Sequence, residues 1–98
     1  MLLVRNERIA IALLRFGEQG TIDEHAADHD IDVVCVHGRG HVSVGAAQAP
    51  FGEGERVRWP AGEPHRLWTE DSRMTTLMVE YPGAEPHGTP TAPNAVRR

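Results

Sequence analysis

Residues 54–69 constrain this chain more than any other stretch. Pro60 lacks a backbone donor, so it fits a strand end and not a strand centre. Gly62 supplies a backbone that can take positive φ in a turn. The stretch therefore reads as a strand over 56–59, a sharp Pro/Gly corner, and a second strand over 65–68 that opens with His65. Such a corner sets His65 at a defined place on a sheet.

The rest of the chain repeats this cadence. Residues 8–16 fit either a helical stripe (Ile9, Leu13, Phe16) or a strand face (Ile9, Ile11, Leu13). The strand is preferred, because everything downstream looks β. Residues 17–20 read as a turn, 21–25 as a short strand and 26–30 as a polar connection. Residues 31–36 hold three valines and an isoleucine on both strand parities, which predicts a strand buried on both faces. The run His37-Gly38-Arg39-Gly40 reads as a tight turn, Val42 and Val44 as one face of a half-buried strand, and 45–54 as a loop containing a short strand. Residues 74–81 close the sheet. Seven or eight short strands over about 75 residues predict an all-β sandwich or closed barrel. Beyond Tyr81, prolines 82, 86, 90 and 93 stand among small and polar residues. That predicts a folded domain over 1–81 and a disordered Pro-rich tail over 82–98.

Composition narrows the function classes. A domain of 98 residues buries only about 60% of its unfolded surface, so a homodimer is expected. A net charge of −4 argues against nucleic acid as a partner. All ten basic residues are Arg, which reads first as genome bias. Cys35 is the only cysteine, so no intrachain disulfide can form. The uncharged apolar run at 9–14 is too short for a signal segment or a membrane span, and a cytoplasmic protein is the expectation.

The spacing around the corner is Gly54, five residues, Pro60, one residue, Gly62, two residues, His65, three residues, Thr69. It resembles the second signature motif of the cupin family, small β-barrels with a ligand or metal site inside; Thr69 stands where that motif has Asn. The resemblance implies a single-domain, cupin-type antiparallel β-barrel of jelly-roll form. The family's first motif runs Gly, five residues, His, one, His, three or four, Glu, six, Gly. Anchored on Gly38, it places Ile31 at the Glu, Ala27 at the second His and His25 at the first, with Gly20 one residue too close. The similarity covers residues 20–81.

A typical cupin metal is held by three His and one Glu, and here His25 and His65 carry over. Catalytic metal sites usually take three protein ligands. His29 is the candidate third. On a straight strand it would lie about 13 Å from His25, so 26–30 must turn to bring it back. Asp28, Asp32 or Glu24 could supply an oxygen instead. The ion would be Zn, Ni, Fe or Mn.

Trp59 and Trp68 flank the second motif and would either stack on a ligand inside the barrel or pack as core. Arg66, with Arg56 and Arg58, would either hold an anionic ligand or pair with Glu53, Glu55 or Glu63. Cys35 shares parity with Ile31 and Val33 and is expected to be buried and unreactive. His37 and His41 bracket a turn and are expected to be exposed. Three functions remain open. One is a domain that binds a small molecule in its interior without metal. Another is a metal-dependent enzyme of oxygenase or isomerase type using His25, His65 and an atypical third ligand. The last is an interaction module with a filled barrel and a dimer surface.

Overall fold

The computed structural model describes residues 1–82 and the backbone of 96–97. Every element among them is a strand: β1 (Leu2–Arg5), β2 (Ala10–Phe16), β3 (Thr21–His25), β4 (Ile31–Val44), β5 (Ala47–Gly52), β6 (Arg56–Trp59), β7 (His65–Trp68), β8 (Met74–Glu80) and β9 (Val96–Arg97). All pairings are antiparallel. One sheet runs β1-β2-β8-β4-β6-β9, and a second runs β3-β7-β4-β5. No helix among the described residues is long and apolar enough to cross a membrane. The expected tail falls almost wholly on residues outside those described.

The two sheets share β4, and here the sequence reading needs correction. The expected turn over 37–40 is part of a continuous fourteen-residue strand. Its first part pairs with β6 and β8, its last part with β5 and β7. The register slips between Cys35 and His37, and Gly38 follows with φ +78°. A bulge and a glycine together bend a strand from one sheet into the other, which is how jelly-roll corners are made. Pairing continues through the bend, with Gly38 opposite Met74 and Arg39 opposite Gly52.

The prediction that 31–36 is buried on both faces is also corrected. Ile31, Val33 and Cys35 point into the core, Asp32 and Val34 are half-buried on the outer face, and Val36 is exposed. The loop expected at 45–54 contains the six-residue strand β5, with Pro50 on the sheet edge where no ladder donor is required. Strand β1 carries no sequence signal strong enough to have been expected.

Between the sheets lies one apolar core. Val33, Val57, Trp59, Met74 and Met78 come from the first sheet, and Val42, Val44, Phe51 and Leu67 from the second. Each such large apolar side chain gains about 1.5–3 kcal/mol from leaving water. Cys35 is fully buried, and burial pushes its thiol pKa up, as expected of an inert cysteine. Thr69 is buried too. Its hydroxyl accepts from Gly20 N–H and donates to the Gly17 carbonyl, tying the end of β7 to the 17–20 turn.

Candidate functional site

The Pro60–Gly62 corner is pinned from several sides. Gly62, at φ +82°, donates its N–H to the Ala27 carbonyl at 2.8 Å. Ala61 N–H donates to Asp30 Oδ1 at 2.8 Å, and Glu63 N–H to the Pro60 carbonyl at 3.2 Å. Buried Asp30 also accepts from Arg58 Nη1 at 3.4 Å. The corner is thereby stapled to the 26–30 connection, and His65 leaves it with little freedom.

His65 is 1% exposed and lies flat on Trp59, with ring centroids 3.9 Å apart and parallel planes. Opposite it, at the end of β3, stands His25, which is exposed. The two imidazoles meet edge to face at 4.5 Å, and their Nε2 atoms are 3.3 Å apart. His25 Nδ1 lies 2.8 Å from the Asp23 carbonyl, an acceptor, so the proton of neutral His25 sits on Nδ1. Its Nε2 then presents a lone pair toward His65. Burial, reinforced by the neighbouring His25, lowers the His65 pKa to about 4, while the Glu63 backbone and the Glu80 carboxylate oppose the shift. His65 is therefore neutral at pH 7, and its Nδ1 makes no hydrogen bond of good geometry.

Two further buried polar groups among the inward-facing side chains are unmet: one stacked on His65, the other several residues further along the barrel, opposite Cys35. Trp59 Nε1 and Thr76 Oγ1 are buried without a hydrogen-bond partner in the chain. Each such group costs about 1–3 kcal/mol when left dry. Of these, Trp59 Nε1 and His65 Nδ1 belong to stacked rings and suit a bound water or a polar ligand there.

His29 is 19% exposed and sits beside the pair rather than on it. One ring nitrogen is 2.7 Å from Glu80 Oε1 and the other 2.7 Å from Asp28 Oδ1. The hydrogen bond to Glu80 is the main cause that raises its pKa, with Asp28 adding to it. Among the described residues, no group of three or more His, Cys, Asp or Glu converges as a metal cage.

Two expected ligand contacts are misplaced for an interior site. His65 and Leu67 point inward along β7, so Arg66 and Trp68 point outward. There the Arg66 guanidinium stacks 4.4 Å over the Trp68 ring, and His41 lies against the same indole at 5.4 Å. Of the three residues, only Trp59 faces the interior. Arg58 is engaged as well: its Nε and Nη2 hold both oxygens of Asp32, at 2.5 and 3.0 Å. Ala27 packs against the core and Ile31 is 4% exposed, so the two positions where the first motif lacks ligands are structural. A hollow of about 230 Å³ lined by Arg39, His41, Phe51 and Asp71 opens at the far end of the barrel, away from the imidazole pair.

A scan against protein-family models finds no match, and neither does a sequence comparison with curated proteins. Solved structures do match. An RmlC-like cupin from Shewanella frigidimarina superposes with a TM-score of 0.79 at 19% identity, covering 86% of this chain and 75% of that one. A cupin superfamily protein from Desulfitobacterium hafniense gives 0.76 at 17% identity, over 83% and 73%. The fold is that of the cupin superfamily. KdgF from a Halomonas species shares this cupin fold with a TM-score of 0.78 at 13% identity, over 84% and 77%.

Glu80 is the residue at this site that sequence reasoning missed. Its signal was available: along β8, Met74, Thr76 and Met78 alternate inward, and Glu80 continues that parity.

Proposed function

We propose that this cupin binds a small molecule at the barrel mouth through a divalent transition metal held by His25 and His65. The observation that supports it is the 3.3 Å separation of the two Nε2 atoms. Two nitrogens at about 2.0–2.1 Å from one tetrahedral ion stand about 3.3–3.4 Å apart. The donor set fits in a second way. His25 gives its Nδ1–H to a backbone carbonyl, the usual outer partner of a metal-bound imidazole. Nitrogen donors favour Zn, Ni or Fe over harder ions, with Mn the weakest binder of the four. When bound, such an ion supplies Lewis acidity or an activated water, which suits an oxygenase or isomerase acting on a small polar substrate. Around it, Trp59 holds the His65 ring in plane, and the walls exclude water from one side of the pair.

The test is metal uptake by chelator-stripped protein, followed by calorimetry and elemental analysis. One ion per chain is expected, with at least ~100-fold weaker affinity after His25→Ala or His65→Ala. Uptake of none of the four metals would overturn this reading. It would favour the metal-free binding domain, which Ala27 and Ile31 support by being apolar where ligands belong. In that state His65 Nε2–H donates to His25 Nε2, and the orphaned Trp59 Nε1 beside them is left for a polar ligand.

The proposal includes a homodimer. Met1, Leu2, Leu3 and Val4 are 70%, 57%, 48% and 45% exposed, on an edge strand paired with β2. A bare apolar edge of this kind is normally covered. Sedimentation should give twice the 10.8 kDa chain mass, and Leu3→Lys should shift it toward monomer. A monomer at tens of micromolar would remove the dimer.

A further inference from the structure

We infer that a second copy of this chain docks on the outer face of the first sheet, packing sheet against sheet. This rests on the preceding proposal of a homodimer and names the surface that would make it.

Strand register decides which side chains share that face. Val4 stands opposite Ile11, Ile11 opposite Val79, and Val79 opposite Asp32. Two residues further along each strand, Leu13 stands opposite Leu77, and Leu77 opposite Val34. Phe16, Met74, Met78 and Val33 point into the core from the same strands, so these rows point away from it. Val36 continues the outward parity of β4 and is 44% exposed. The result is an aliphatic patch across four strands. Its charges lie at the rim. Asp32 is held by the Arg58 fork, and Arg15 and Arg56 are exposed at the patch's edges.

The second sheet shows what a solvated face of this protein looks like. On its outer side Ser43 stands between Gln48 and Arg66, with His41 beside Trp68. Antiparallel sheets with one wet face alternate apolar and polar residues in this way. The first sheet does not, and an aliphatic patch of that kind marks an interaction surface.

Size and shape point to a second copy as the occupant. Four strands about 4.8 Å apart and up to seven residues long give a plan area of about 400 Å². Two such faces give about 800 Å², and the accessible area of interlocking side chains exceeds its plan. The pair therefore reaches the roughly 1,000 Å² that a specific interface needs. All sheets twist with one hand, so a copy presents a matching twist and can pack in the aligned manner, about 10 Å away. The exposed residues of β1 border the same patch, so one partner covers both.

The experiment is sedimentation equilibrium of the full chain. Val36→Arg and Val79→Arg each place an unpaired charge in the patch and should weaken the dimer by at least ~100-fold. Gln48→Arg adds the same charge to the exposed outer face of the second sheet and should leave the dimer unchanged. A dimer that persists at full strength in both valine variants would overturn this face and leave the homodimer standing. Equal weakening by Gln48→Arg would overturn it too, because the effect would then be one of net charge. A monomeric unaltered chain would remove the homodimer, and with it a second copy as the occupant. Thermal melts check folding. Val36 is already exposed, so Val36→Arg decides the matter if Val79→Arg does not fold.

Discussion

Gly38→Ala should destabilise the protein by about 3–5 kcal/mol, a large part of the 5–15 kcal/mol that holds a typical domain together. Two effects combine. The residue sits at φ +78°, where an L side chain costs about 1–2 kcal/mol. An added Cβ would also lie 2.1 Å from the Arg73 carbonyl oxygen, inside any tolerable contact. That oxygen accepts the Arg39 N–H at 3.0 Å, so backing away weakens a hydrogen bond at the sheet-switching bend. Gly54 is the control. It has a similar φ of +85°, but an added Cβ meets nothing within 4 Å. Gly54→Ala should show only the conformational part, about 1 kcal/mol. Urea denaturation of the two variants gives the comparison, and equal losses would mean that the bend at 38 can relax.

Lowering the pH from 7 to 4 should cost the metal-free protein about 3 kcal/mol through His65 alone. The folded pKa is about 4, against 6.5 for the unfolded chain. Between those values the unfolded state binds the extra proton, so stability falls as pH falls, at up to 1.36 kcal/mol per unit. Above pH 6.5 the group is neutral in both states and contributes no slope. Below pH 4 both forms are protonated and the loss is complete. His29 has the opposite sign. Its raised pKa adds stability that is present below 6.5 and is lost as pH rises through the folded value. The two histidines therefore act in separate windows. His65→Gln should remove the acid slope, measured as unfolding free energy at pH 7 and 4.5 with chelator present. A slope that persists unchanged in that variant would show that His65 is protonated within the fold.

The strand-corner-strand reading of 54–69 was recoverable from local chemistry, because Pro60 and Gly62 dictate backbone geometry without help from distant residues. The inward parity of Cys35 followed from the period of two. The 37–40 segment misled for a physical reason. Glycines there read as a reversal, but they serve close approaches: Gly38 to the Arg73 carbonyl, thirty-five residues away in sequence, and Gly40 to the Trp68 carbonyl and Met74. Trp68 and Arg66 were expected beside a ligand because they neighbour His65 in sequence, and strand alternation puts them on the other face.

What the amino-acid order determined by itself is the β cadence, the corner that launches His65, and the loss of ligand types at positions 27 and 31. These depend on torsional preferences and side-chain identity, which are local. Tertiary structure decided the rest: that β4 serves both sheets, that His25 and His65 bring their Nε2 atoms within 3.3 Å, and that Glu80 stands across from Ile31 with His29 as its partner. Those are consequences of strand register, which joins residues far apart in the chain and leaves no trace in any short window of it.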